Sequence, residues 1–380
     1  MSETLRQAAG SLLVVGLGGT ELTALERAWL RLIRPGGVIL FKRNVVDARQ
    51  TRALLNEATG LGARHAVRCV DVEGGTVNRL RDALAPMPSA QAVCAAVLKT
   101  GKTAIACEFG ELVARCVKAF GFNTTLAPVV DLALPESAAV LGTRPPAADA
   151  ADVIRFARAF LAGLALHDVV GCGKHFPGLG GASSDTHFET PSISRNWEEL
   201  WAEDLLPYRD LHRQMPMIMM NHAAYPKTRG KNMPASASSY WITKVLRKQI
   251  GYRGIILSDD LEMGGILKFL PVDEAAVAAI RAGSDLLEIC HSTELILRSY
   301  DALIREAERS QAFRHLLLAA ARLTAQKRRR LYAAGVTPPS SEKHLNTLRT
   351  RSDRFRDKIA SIIAATDATS PRAVSPAEIR

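Results

Sequence analysis

Short apolar runs recur along the chain at residues 11–17, 37–41, 66–72, 124–131, 169–173, 215–220, 254–257 and 285–289, and longer stretches rich in Ala, Leu, Arg and Glu separate them. Runs of this kind predict strands, while the intervening stretches carry apolar residues at helical spacing, clearest at 151–164 and 240–247. Eight strands alternating with helices predict an α/β fold, a (β/α)8 TIM-type barrel, as one domain over residues 1–335. From about 302 to 327 the pattern is again helical, with Phe313, Leu316, Leu317, Leu318 and Leu323 on an apolar face. After Pro338-Pro339-Ser340-Ser341 a further helix is predicted over 344–364, and then a flexible tail. Residues 336–380 therefore read as a basic helical extension.

At 380 residues and 47% hydrophobic content the chain can bury a large core, which excludes disorder as its general state. Its formal net charge of +11 favours anionic partners. Much of the excess lies late, in Lys327-Arg328-Arg329-Arg330 and between Arg349 and Arg356, so it says little about an active site. The six cysteines show no CxxC pair and no metal-ligand spacing with His, and read as buried thiols in a reducing compartment. The apolar run at 12–17 is short and broken by Gly, unlike a transmembrane helix or a secretion signal. A cytoplasmic protein without membrane insertion is expected.

In such a barrel, chemistry sits at the C-terminal ends of strands, and polar clusters fall there repeatedly. Asp71-Val72-Glu73-Gly74-Gly75 follows the third predicted strand, Asp131 the fourth, Lys174-His175 the fifth, Asn221-His222 the sixth and Asp259-Asp260 the seventh. Gly16-Leu17-Gly18-Gly19-Thr20 after the first strand lacks both GxGxxG spacing and the Lys-Ser/Thr of a phosphate loop, and reads as a tight turn.

Asp259 ends an apolar strand, so if its side chain faces inward it is a fixed carboxylate suited to nucleophilic attack; a helix N-cap is the rival role. Asp260 then points towards the surrounding helices and holds the loop. Asp185 and His187, two apart on a Gly/Ser-rich loop, form a candidate carboxylate–imidazole proton shuttle, against the alternative of a solvated loop. Lys174 and His175 offer hydrogen-bond donors, Asp71 with Arg79 suits vicinal hydroxyls, and Arg144 is a further candidate. Metal binding by Asp185, His187, His175 and Asp259 has no HExxH or Cys/His cluster behind it, and polyol recognition explains these carboxylates better. No cofactor is expected.

Several motifs in order resemble the glycoside hydrolase family 3 β-N-acetylhexosaminidases, over roughly residues 10 to 320. They are Gly36-Gly37-Val38-Ile39-Leu40-Phe41-Lys42-Arg43-Asn44, Asp71 through Arg79, Leu126-Ala127-Pro128-Val129-Val130-Asp131, Lys174-His175-Phe176-Pro177-Gly178, Asp185-Thr186-His187 and Ser258-Asp259-Asp260-Leu261-Glu262-Met263. The resemblance implies Asp259 as nucleophile and His187, paired with Asp185, as acid/base. It also implies sugar contacts from Asp71, Arg79, Arg144, Lys174 and His175, with His222 near the same pocket. The chain departs from the family pattern at Leu179, where a second His is usual, and at Gly181, where an Asp is usual. Both differences bear on loop ordering and on tolerance beyond the scissile bond.

A retaining hydrolase for terminal β-linked N-acetylglucosamine follows, with muropeptides of peptidoglycan recycling as expected substrates and a monomer or weak dimer as the expected state. The rivals are a β-glucosidase, a His-dependent glycoside phosphorylase, and a non-catalytic sugar- or nucleic-acid-binding protein. Nucleic acid is not the expected partner.

Overall fold

The computed structural model describes residues 3–184, 190–335 and 338–367. Eight parallel strands close into a barrel: β1 Leu13–Gly16, β2 Gly37–Leu40, β3 Val67–Val70, β4 Thr124–Thr125, β5 Val170–Phe176, β6 Met217–Met220, β7 Ile255–Asp260 and β8 Leu286–Ile289. Each neighbours the next in sequence, and β1 pairs with β8 to close the ring. All eight predicted strands are present, and helices follow them around the outside. The fourth is regular only over Thr124–Thr125 of its predicted 124–131; Pro128 beyond it has no N–H to donate, yet Val129 still bridges to Lys174, whose carbonyl accepts the Val130 N–H at 2.8 Å.

Side-chain alternation decides what the barrel holds. Val67 and Cys69, Val170 and Cys172, Ile255 and Leu257, and Leu286 and Cys290 belong to one buried cluster inside the ring, whereas Val70, Ile256, Leu287 and Ile289 pack outward against the helices. Continuing the inward parity one step delivers Asp71, Lys174 and Asp259 to the C-terminal rim. Three carboxylate or ammonium groups thus come to one place because each stands at or near the end of a strand in the same phase.

Local signals start and stop the helices. Thr23 and Glu26 form a reciprocal capping box at the start of helix Ala24–Ile33, and Asp149 caps Ala150–Ala165. Gly283, at φ 110°, ends helix Val272–Ala282. The turn after β1 is explained by packing: a Cβ on Gly16 would lie 1.8 Å from the Cys290 carbonyl oxygen, and the Gly18 N–H donates to Glu26.

The helical stretch predicted at 302–327 is two helices, Thr293–Arg309 and Gln311–Leu331, because Ser310 leaves helical geometry and caps the second with its side chain. The second helix crosses the N-terminal mouth of the barrel and sends Tyr332 into it, where its hydroxyl lies 2.8 Å from Thr124 Oγ1. Helix Glu342–Asp367 packs on helices Ala90–Thr100 and Ala104–Ala119 through Leu345, Leu348, Phe355 and Ile359, with Phe355 stacked on Phe109 at 5.7 Å. The tail beyond 367 lies outside the described residues. Among those described, no helix is long and apolar enough to cross a membrane.

Candidate active site

A cavity of about 180 Å³ opens at the C-terminal rim, large enough for a single sugar ring rather than a polymer. Asp71, Arg79, Arg144, Lys174, His175 and Asp259, all singled out from sequence, line it. Leu179, Asp260, Glu288 and His291 line it as well.

One wall is a charge network anchored on β3 and β5. Lys174 Nζ lies 2.8 Å from Asp71 Oδ1 and 2.6 Å from Glu73 Oε1. Arg144 grips Glu73 with two nitrogens, at 2.8 and 3.0 Å, and its Nη2 is 3.2 Å from His175 Nε2. Arg79 Nη2 stands 3.7 Å from Asp71 Oδ2. Glu73 is fully buried, which opposes its charge, yet Arg144 and Lys174 hold it far below the usual carboxylate range. Burial likewise opposes the charge on Lys174, and Asp71 and Glu73 overcome it, so its pKa rises above the ordinary lysine value. Glu73 and Lys174 are therefore ionised and oriented before any ligand arrives.

Consecutive Lys174 and His175 both reach this wall because the β5–β6 register shifts between Gly173 and Phe176. Asp131 fixes the ring, 2.6 Å from His175 Nδ1, and its Oδ1 also accepts the Leu179 N–H. Sequence reasoning placed Asp131 at the rim without a role; its signal was a carboxylate following a strand, the same as for Asp71. Leu179 is buried and supplies apolar surface beside the network. Gly181 sits where a Cβ would meet Ile193 at 3.1 Å and Arg195 at 3.2 Å.

Across the cavity stands Asp259. Burial opposes its charge, but His175, His222, the Asp260 N–H and Lys174 bring its pKa below the usual value, leaving an anion at the rim. Asp260 differs: burial, with Glu262 and Asp259 close by, pushes it up to about 7. It does hold the loops, accepting the Glu262 N–H at 3.1 Å and the Cys290 N–H at 3.2 Å, yet it faces the cavity as well. Two adjacent carboxyls therefore differ in acidity and in what they contact.

His222 is fully buried and does not line the cavity; it is 2.7 Å from Ser236 Oγ and 3.0 Å from the Asp260 carbonyl. It supports the end of β7 from behind. Asp185 and His187 lie outside the described residues. Ligand atoms of Asp260, Glu262 and His291 fall within 4.8 Å of one another, the arrangement closest to a metal centre among the described residues. Glu262 and Asp260 already accept backbone N–H groups of Ser292, Glu262 and Cys290 there, which is the pattern of a loop latch.

Residues 4–325 match the model for the glycosyl hydrolase family 3 N-terminal domain. Among similar proteins are a beta-hexosaminidase of Idiomarina loihiensis, 32% identical over 80% of this chain and 90% of that protein, and one of Tolumonas auensis, 37% identical over 74% and 83%. Among solved structures, a glycoside hydrolase family 3 beta-N-acetylglucosaminidase from Paenibacillus sp. superposes with a TM-score of 0.82 and 28% identity, covering 93% of this chain and 69% of that one. NagZ from Neisseria gonorrhoeae in complex with N-trifluoroacetyl-D-glucosamine gives 0.70 and 29%, over 83% and 98%.

Proposed function

Because the chain belongs to glycosyl hydrolase family 3, we propose that its rim cavity seats the terminal sugar of a β-linked N-acetylglucosaminide with Asp259 beneath the anomeric carbon. The activity is that of a retaining β-N-acetylhexosaminidase acting on N-acetylglucosamine-containing saccharides. One observation carries the residue assignment: Asp259 is held ionised opposite a prearranged wall of Asp71, Lys174, Arg144 and His175.

In the proposed reaction the wall binds ring hydroxyls, fixing the sugar so that an Asp259 oxygen attacks C1 as the glycosidic oxygen leaves. The departing oxygen takes a proton from His187, which Asp185 orients; His187 then removes a proton from the water that cleaves the glycosyl ester and regenerates Asp259. Imidazole suits both halves because its ordinary pKa of about 6.5 lies near neutral pH. Residues 1–335 form the catalytic unit in this reading and 336–380 an appendage to it. Muropeptides are the proposed natural substrates and the cytoplasm the proposed compartment, consistent with six free cysteines.

The test compares an aryl β-N-acetylglucosaminide with the corresponding aryl β-glucoside, following the product anomer by NMR. Preferred cleavage of the acetamido sugar with initial release of the β-anomer supports the reading; inversion or a phosphate requirement overturns it. A His187→Ala variant should recover much of its first-step rate with a strongly activated aryl leaving group, and equal losses on activated and ordinary substrates would remove His187 from the acid role.

A further inference from the structure

The floor of the cavity holds a carboxyl that the reaction above does not use. Glu288 lies on β8 between Leu286 and Cys290, the residue that follows the strand, and both of these neighbours point into the barrel, so parity sends Glu288 inward with them. It is 2% exposed and lines the cavity beside Ile39, Leu126 and Met219. Its backbone is pinned: the N–H donates to Ser258 Oγ at 3.0 Å and the carbonyl accepts the Leu261 N–H at 2.9 Å. Of the side-chain oxygens, Oε1 accepts from the Cys69 thiol at 3.8 Å, a weak bond, and Oε2 has no hydrogen-bond partner among the described residues. Burial, reinforced by the nearby Asp259, Asp71 and Asp260, raises its pKa well above the usual carboxylate range despite Lys174. A neutral carboxylic acid offers one donor and one acceptor, the same complement as a sugar hydroxyl.

We propose that Glu288 determines sugar specificity: its carboxyl, rising from an otherwise apolar floor, hydrogen-bonds one hydroxyl of the ring seated against Asp259. This rests on the reading of the cavity as an N-acetylglucosamine site. An apolar floor of Ile39, Leu126 and Met219 would accept a ring edge lacking that hydroxyl with little loss. With Glu288 present, the deoxy edge leaves a buried polar group without its partner, and discrimination follows.

Equilibrium titration of N-acetylglucosamine and its 3-deoxy, 4-deoxy and 6-deoxy analogues into the wild-type protein, Glu288→Gln and Glu288→Leu tests this. One analogue should bind the wild type about tenfold more weakly than the parent sugar. Glu288→Gln should keep much of that penalty, since an amide also donates and accepts. Glu288→Leu should bind the parent more weakly and lose the penalty at that one position; should it fail to fold, Glu288→Met supplies the unbranched apolar replacement. An unchanged affinity and an unchanged analogue ranking in the apolar variant would overturn the proposal. Turnover is measured separately: a wild type that binds and discriminates sugars without cleaving them would remove the hydrolase reading while leaving Glu288 in place.

Discussion

Both mouths of the barrel set a lysine against carboxylate, Lys174 buried and Lys327 half-buried, yet they are built for different ends. At the N-terminal mouth, Lys327 Nζ meets Asp285 at 2.9 Å and the Gly254 carbonyl at 2.9 Å, Arg247 shares Asp285, and the buried Arg328 donates to the Gly36 carbonyl at 2.6 Å. Burial outweighs Asp285 there and Arg247 repels, so the Lys327 pKa falls below its ordinary value. At the rim Lys174 has two carboxylates, Asp71 and Glu73, and its pKa rises. At the N-terminal mouth these charged groups pair with one another and with backbone carbonyls under the helix. At the rim Asp71 and Glu73 are ion-paired with Lys174, Arg79 and Arg144, whereas Asp259 makes no ion pair among the described residues and faces an open cavity. Buried charge alone does not mark a site; unbalanced charge with access to a ligand does.

The sharpest way to break that contrast is to remove one carboxylate from each end. Asp259→Ala should lower kcat/KM by on the order of 10⁴-fold while moving the thermal midpoint by no more than about 2 °C, read by steady-state assay and calorimetry. Asp285→Ala should do the reverse, costing about 3–5 kcal/mol in denaturant unfolding with kcat per folded molecule preserved, because it strands Lys327 and Arg247. If Asp285→Ala destroyed turnover in folded protein, the two mouths would not be independent.

Glu73 sharpens the comparison through pH. Its folded pKa lies below the unfolded value of about 4.3, so its contribution to stability is present above that pH and is lost as pH falls through the folded value. Glu73→Gln should be less stable than wild type by about 3 kcal/mol at neutral pH, with the gap narrowing below about pH 4.3 in acid titrations of unfolding. A gap that widened on acidification would contradict the ion-pair account. The smallest effect is expected from Asp131→Asn, which keeps an acceptor for the His175 ring but loses its charge: kcat/KM should fall about tenfold. An equal fall in stability alone would make Asp131 a packing residue.

The barrel was readable because eight apolar runs alternate with helical stretches, and polar groups closing the third to seventh of them put Asp71, Lys174 and Asp259 at one rim. Lys174 and His175 facing the same wall was less readable, since alternation argues against it and a register shift produces it. Asp131 escaped assignment because its partner, His175, lies 44 residues away. Glu288 escaped because Leu286-Leu287-Glu288-Ile289 reads as a buried strand, and a lone acid in such a run carries no spacing to interpret. Tyr332 follows the last turn of a helix and looks like any half-exposed aromatic until the barrel mouth is drawn around it. His222 shows the converse: a strand-end histidine, chosen for its position, supports β7 rather than lining the cavity.

The central claim, that Asp259 becomes covalently joined to the sugar, is tested most directly by peptide mass spectrometry after reaction with an N-acetylglucosaminyl donor fluorinated at ring carbon 5, which slows breakdown of the glycosyl-enzyme. The account predicts one added sugar on the peptide spanning Ile255–Asp260, assigned by fragmentation to Asp259. A label on Asp260, Glu288 or any other carboxyl, or turnover with no covalent adduct, would contradict it.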